Sequence, residues 1–415
     1  MHWGLIIYRI AVDIIVGPFC LFAYKDPNFK GTLLKRFSFD MPRVPRDRPV
    51  IWVHASSVGE VLAIAPLVAR IKKKDPASFI LLSSMTLTGR KMASTKTKAD
   101  KVIPMPFDLG WVMRRYIRRL NISMLIITET EIWPNMLFEA RSAFCPVVFV
   151  NARMSEKAFS HYKRFRSMFS RVLKGTNILA ISSVDAKRFS CLGADRVRVM
   201  GNIKVDSLND TNKEISSGLR QQMGLSNRPV FIAGSIRSGE ETYVLDAIKE
   251  ASGHIPGLYA IVAPRHPDRV DAVCEKARNL GLSCAKKSSK VFDADCLVVD
   301  TFGELFDLYG IADAAFVGGS LVETGGQNIL ESLVWGTPTM HGLYMENFQW
   351  AMAMVGDYTI KVPGPKALGP LIVDVFNNLE SNRRVADKAR ETIVQARGVM
   401  ERYMEAIGSV SGLES

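Results

Sequence analysis

The chain has 415 residues, 47 % of them apolar and 23 % charged, which is ordinary usage for two or three folded domains and excludes a small stapled scaffold or a disordered chain. Its six cysteines are scattered, with no CxxC spacing and no cysteine–histidine cluster, so neither a zinc site nor a disulfide framework is indicated and a reducing compartment fits best. The net charge of +13 is uneven: positions 1–200 hold 33 basic and 14 acidic residues and the rest 21 and 27, so the first half, at +19, is expected to meet something polyanionic, while the second half carries −6.

Residues 3–24 form a mostly apolar stretch about long enough to cross a bilayer, interrupted by Arg9, Asp13 and Pro18. Arg9 and Asp13 are spaced for an i, i+4 pair. No small-residue cleavage site follows, and Lys25, Lys30, Lys35, Arg36, Arg43, Arg46 and Arg48 come next, which keeps the bulk of the chain on the cytoplasmic side. A membrane-anchor helix is expected over 1–24, in preference to a buried first helix of a soluble domain.

Short β-branched runs then alternate with helical patterns, at 50–53, 79–82, 124–127, 147–150 and 178–181. A second series follows a polar stretch near Asp206–Ser226, at 230–233, 259–262, 297–299 and 315–318. Alternation of this kind predicts βαβ units around parallel sheets. The expected class is α/β, with two doubly wound, Rossmann-like domains at 25–205 and 206–385 facing an interdomain cleft, and a terminal helix at 386–415. Ligands of such sheets bind at the carboxyl ends of the strands.

Four segments carry candidate chemistry. In Val-His-Ala-Ser-Ser-Val-Gly-Glu (53–60), Glu60 sits on a strand-to-helix turn, where a carboxylate serves either the helix dipole or proton abstraction from a substrate hydroxyl. In Thr-Glu-Thr-Glu-Ile-Trp-Pro-Asn (128–135), Glu129 and Glu131 point the same way if the strand persists; the alternative is an acidic helix start with Pro134 in its first turn. Arg265, between Pro264 and His266-Pro267, is placed for phosphate. The glycine pairs at 318–319 and 325–326 follow apolar runs, and the second is expected to open a helix, so that backbone amides face an anion and Glu331 accepts from ribose hydroxyls. Neither GxGxxG nor a P-loop is present. Asp293 and Asp295 lack supporting ligands, so no metal role is expected. The basic run Arg114–Arg119 reads as a solvated helix face or a lipid contact, and no nucleic acid partner is expected.

Together with Asn-Ala-Arg-Met-Ser (151–155), Gly-Asn-Ile-Lys-Val-Asp (201–206), Pro-Arg-His-Pro, Asp-Thr-Phe-Gly-Glu-Leu (300–305) and Gly-Gly-Gln-Asn (325–328), these segments closely resemble the 3-deoxy-D-manno-octulosonic acid (Kdo) transferase family, in order and through almost the whole chain. The resemblance implies a GT-B glycosyltransferase on the cytoplasmic face of the Gram-negative inner membrane, moving Kdo from CMP-Kdo to the lipid A precursor with inversion and without a metal or other cofactor. It implies Glu60 as general base and Glu129 and Lys204 as supports of the transition state. CMP would be held by Pro264 and Arg265, by Phe302, Gly303 and Glu304, and by Asn328, Ile329, Leu330 and Glu331. Gln327, Ile329 and Arg237 depart from the family's usual residues. A UDP-sugar-dependent transferase acting on a membrane lipid is the alternative enzyme, and a non-catalytic polyanion-binding protein the alternative class.

Overall fold

The structure is a computed structural model that describes residues 3–411. Residues 1–2 of the expected anchor and 412–415 of the expected terminal helix lie outside the described residues. The chain divides into two compact units, one running up to Asp206 and resuming at Gly398, the other covering Ser207–Arg397.

The first unit is built on seven strands: β1 (Val50–His54), β2 (Phe79–Ser84), β3 (Lys101–Pro104), β4 (Ile122–Thr128), β5 (Val147–Ala152), β6 (Asn177–Ala180) and β7 (Arg196–Val199). They pair in parallel in the order β3-β2-β1-β4-β5-β6-β7. The second unit has β8 (Val230–Ile236), β9 (Tyr259–Pro264), β10 (Cys284–Lys286), β11 (Cys296–Val298), β12 (Ala314–Val317), β13 (Thr339–His341) and β14 (Ile360–Lys361). Its order is β10-β11-β9-β8-β12-β13-β14, again parallel. Central strands such as β1 and β5 are buried at every position, because helices cover both faces, and this is why they read as unbroken apolar runs.

Each sheet has one place where the chain reverses its direction of winding, between β1 and β4 in the first unit and between β8 and β12 in the second. Loops leaving the carboxyl ends of those strands diverge there and leave room for a ligand. Glu60 and Glu129 follow β1 and β4; the loops at 237–240 and 318–321 follow β8 and β12.

Two expectations are corrected. The terminal region is not one helix: Leu379–Ala396 ends before Arg397, Gly398 adopts φ +78°, and a separate helix starts at Val399. Gly398 can hold that left-handed conformation without a Cβ clash, which lets the chain turn back to the first unit. The Asp206 carboxylate receives the Gly398 and Met400 amides at 2.9 and 2.6 Å. Arg9, for its part, is not committed to Asp13: its guanidinium binds Glu139 Oε1 and Asn135 Oδ1, both at 2.7 Å.

The helix Trp3–Ala23 is long and apolar enough to cross a membrane and is compatible with an anchor. One face lies on the first unit, where Leu5 is buried, Tyr8 donates to Asp108 at 2.8 Å, and Val12 and Val16 pack on the core. The other face exposes Ile7, Ile10, Ile14, Leu21 and Phe22.

Candidate active site

In the first unit, β1 runs through Ala55–Ser57 into the helix Val58–Lys74, with Ser57 as its N-cap. The Ser57 hydroxyl accepts the Glu60 amide at 3.3 Å and donates to Glu60 Oε1 at 3.0 Å, a reciprocal arrangement related to the capping box. Oε2 receives the Ser56 amide at 2.8 Å and the Thr128 hydroxyl, from the end of β4, at 2.7 Å. Both carboxylate oxygens are therefore fixed in direction, and the side chain is nearly buried. The helix-start role and a proton-accepting role are compatible, since a carboxylate has more acceptor sites than these three bonds use.

β4 stops at Thr128, and Glu129 takes φ +55°, so the strand alternation that would align Glu129 with Glu131 does not reach them. The two carboxylates engage different groups. Glu129 accepts from Arg153 Nε at 2.7 Å. Burial raises its pKa, Arg153 opposes this, the nearby Glu60 adds to the rise and Lys204 lowers it. Lys204, in the turn Ile203–Val205 after β7, has its pKa lowered by burial, with Glu129 and Glu60 acting against the shift. Glu60, Glu129 and Lys204 thus come together in the first unit, with Arg153 as a fourth charged member. A narrow crevice there is lined by Glu60, Ala63, Ile64, Thr128, Glu129, Asn151 and Ile203. Left-handed backbone at Glu129 and Asn151 marks strain of about 1–3 kcal/mol each, a feature that clusters at functional sites.

Glu131 turns to His54 Nε2 at 3.8 Å and accepts from Trp133 Nε1 at 3.0 Å. Burial would raise its pKa, but His54, Trp133 and Ser56 together hold it below the ordinary glutamate range. The unfolded chain therefore binds more protons just below that range, at about pH 4. The stabilisation from Glu131 is present above it and lost as pH falls through the lower, folded pKa. Glu131→Gln is expected to flatten this part of the acid-unfolding profile, measured as unfolding free energy against pH.

Asn151 is held from the returning helix. Its amide donates to the Tyr403 hydroxyl at 3.0 Å, which also lies 3.2 and 3.1 Å from the Leu179 and Gly201 carbonyls, and its Oδ1 accepts from the Ile203 amide at 3.1 Å. Tyr403→Phe leaves the buried Asn151 amide without its acceptor and is expected to cost about 1–3 kcal/mol by chemical denaturation.

In the second unit, Pro264 ends β9 and the Arg265 amide donates to the Ile236 carbonyl at 2.9 Å, leaving the side chain exposed. Arg265 lies close enough to Glu331 to lower its pKa, against a rise caused by burial, and the Asn328 amide group donates to Glu331 Oε1 at 3.0 Å. Arg265, Asn328 and Glu331 therefore form one cluster. Ile329 and Leu330 are fully buried beneath it. Phe302 is 83 % exposed beside Gly303 (φ +84°), and Glu304 is engaged by Lys287 Nζ at 2.7 Å.

The glycine-rich turns differ from expectation. The amides of Gly319, Ser320 and Leu321 do not face open space: they bind the buried Glu240 carboxylate at 2.5–2.9 Å. Gly318 is required by backbone, since a Cβ there would lie 2.5 Å from Ile236 Cα. The turn at Gly325–Gly326 leads into a single turn of helix, Leu330–Leu333, too short for a strong dipole. Arg265, with the side chains of Asn328 and Glu331, is what remains to receive a charged or hydroxylated ligand.

Ser57, Thr128, Arg153 and Glu240 carry roles that the sequence reading did not assign. The Ser-x-x-Glu spacing at 57–60 could have signalled the first; no local pattern marks the others. Among the described residues no group of three His, Cys, Asp or Glu side chains is arranged to hold a metal ion.

Comparison with known proteins bears on this arrangement. A family model described as 3-Deoxy-D-manno-octulosonic-acid transferase (kdotransferase) matches residues 32–207, the stretch holding Glu60, Glu129 and Lys204. The 3-deoxy-D-manno-octulosonic acid transferase of Haemophilus influenzae is 29 % identical over 404 residues, 93 % of either chain. That of Rickettsia bellii is 31 % identical over 293 residues, 69 % of either chain. In fold, the chain is similar to a glycosyltransferase from Rickettsia africae, with a TM-score of 0.59 at 14 % identity over 88 % of this chain and 99 % of that one. The two parallel-sheet units are those of a GT-B-like glycosyltransferase, and the chain belongs to the 3-deoxy-D-manno-octulosonic acid transferase family.

Proposed function

We propose that this enzyme transfers Kdo from CMP-Kdo to a hydroxyl of the lipid A precursor in lipopolysaccharide assembly, inverting the anomeric carbon. The observation that carries the reading is the gathering of Glu60, Glu129, Lys204 and Arg153 at the switch point of the first sheet. Glu60 takes the proton of the attacking hydroxyl as the new oxygen–carbon bond forms. The bond from that carbon to the phosphate oxygen breaks, and CMP leaves with its electron pair. Lys204 and Arg153 supply positive charge for the Kdo carboxylate and the leaving phosphate.

On the second unit, Arg265 binds the CMP phosphate and Glu331 and Asn328 the ribose hydroxyls, with Pro264, Phe302, Gly303, Glu304, Ile329 and Leu330 shaping the nucleotide pocket. Lysine and arginine charge serves where a metal would otherwise, so transfer is expected to persist in excess chelator. The apolar face of Trp3–Ala23 and the basic segment after it support attachment to the anionic cytoplasmic face of the inner membrane, where the acceptor resides.

The test is mass spectrometry of the product after incubation with CMP-Kdo and a tetraacylated lipid A precursor. Addition of Kdo supports the reading. No addition, together with stronger thermal stabilisation by UDP than by CMP, overturns it in favour of a UDP-sugar donor.

A further inference from the structure

Three of the six cysteines converge in the second unit, away from the cluster of Arg265 and Glu331. Cys284 on β10 is the direct register partner of Cys296 on β11. Adjacent strands lie about 4.8 Å apart, within the Cα range that a disulfide spans. Cys274, on the helix Val270–Asn279 that packs over both strands, joins them in the same core. The three differ in burial: Cys274 and Cys296 are 1 % and 0 % exposed, whereas Cys284 is half-buried.

Their chemistry differs too. Interaction with the Cys296 thiol, followed by the Cys274 thiol and the charges of Arg278 and Lys286, lowers the pKa of Cys284 against the effect of burial. Those of Cys274 and Cys296 are raised. Of these three thiols, the least buried is also the one whose ionised form its neighbours favour. Nothing in the transfer reaction uses these groups.

We propose that Cys274, Cys284 and Cys296 form a peroxide-responsive thiol site, with Cys284 the attacked thiol and a buried neighbour closing the disulfide. The Cys284 sulfur attacks one oxygen of hydrogen peroxide, the O–O bond breaks, and hydroxide leaves with a proton as water, giving the sulfenic acid. The sulfur of the neighbouring thiol then attacks the Cys284 sulfur, and the displaced hydroxide takes that thiol's proton as a second water. Two thiols are oxidised to one disulfide, and peroxide is reduced to two waters.

The experiment exposes the reduced full-length protein to graded hydrogen peroxide, followed by thiol titration and peptide mass mapping. The expected result is loss of two of the six thiols per chain, a crosslinked peptide containing Cys284, and full recovery with dithiothreitol. Cys284→Ser abolishes that loss. The double variant Cys274→Ala/Cys296→Ala accumulates a dimedone-reactive sulfenic acid at Cys284; should it not fold, the wild-type peptide map decides alone. Retention of all six thiols, or oxidation of the exposed Cys191 ahead of Cys284, overturns the proposal.

Discussion

Glu60→Gln is expected to lower Kdo transfer by about 10²–10⁴-fold, the range for loss of a general base, while CMP affinity stays at the wild-type value. The substitution suits the site. Glu60 Oε2 takes the Ser56 amide and the Thr128 hydroxyl, so the remaining amide oxygen of glutamine fills that place. Its NH2 then stands where Oε1 met the Ser57 hydroxyl, which rotates to accept. The local fold is retained and only the proton acceptor is lost. Glu60→Ala is a poorer probe, because it leaves the Ser56 amide unpaired and mixes a structural cost with the chemical one. Single-turnover transfer and calorimetric CMP binding on the same preparation separate the two quantities. Wild-type transfer by a correctly folded Glu60→Gln protein would remove Glu60 from the role of base.

Much of this arrangement is legible in the sequence, for an identifiable reason. Nine strands announce themselves as apolar runs, because helices bury both of their faces. The five that do not, β3, β7, β10, β13 and β14, are two to four residues long; four lie at a sheet edge, and β13, though buried throughout, is only Thr-Met-His, too short and too polar to read as an apolar run. Glu60 and Arg265 stand out because each follows a central strand at its carboxyl end. Thr128, Arg153 and Tyr403 do not, since their partners are 24 to 252 residues away in the chain and no local spacing encodes such pairings. Glutamate alternation at 129 and 131 fails for a physical reason: the strand ends at Thr128, before either glutamate, and the left-handed turn at Glu129 redirects the chain.

The glycine pair at 318–319 misled in a more instructive way, and it leads to the largest expected stability effect. Small residues that let a backbone approach closely do so for any neighbour; here the neighbours are the Ile236 backbone and the Glu240 carboxylate, within the protein itself. Each Glu240 oxygen accepts two amides, Oε2 from Arg237 and Gly319 and Oε1 from Ser320 and Leu321. Glutamine supplies one acceptor oxygen, and its NH2 sets donors against the other two amides. At about 1–3 kcal/mol for each buried group left unpaired, and more for loss of a charge-assisted bond, Glu240→Gln is expected to cost the second unit about 3 kcal/mol or more. Urea unfolding monitored in that unit reads this as a clear fall in midpoint. The same turn bears on the cluster of Arg265, Asn328 and Glu331, since the Ile236 carbonyl four residues upstream holds the Arg265 amide. CMP affinity is therefore expected to weaken under conditions where the variant is still folded. An unchanged midpoint would mean that the four amides find other partners, and that the loops after β8 and β12 are held together by something other than this carboxylate.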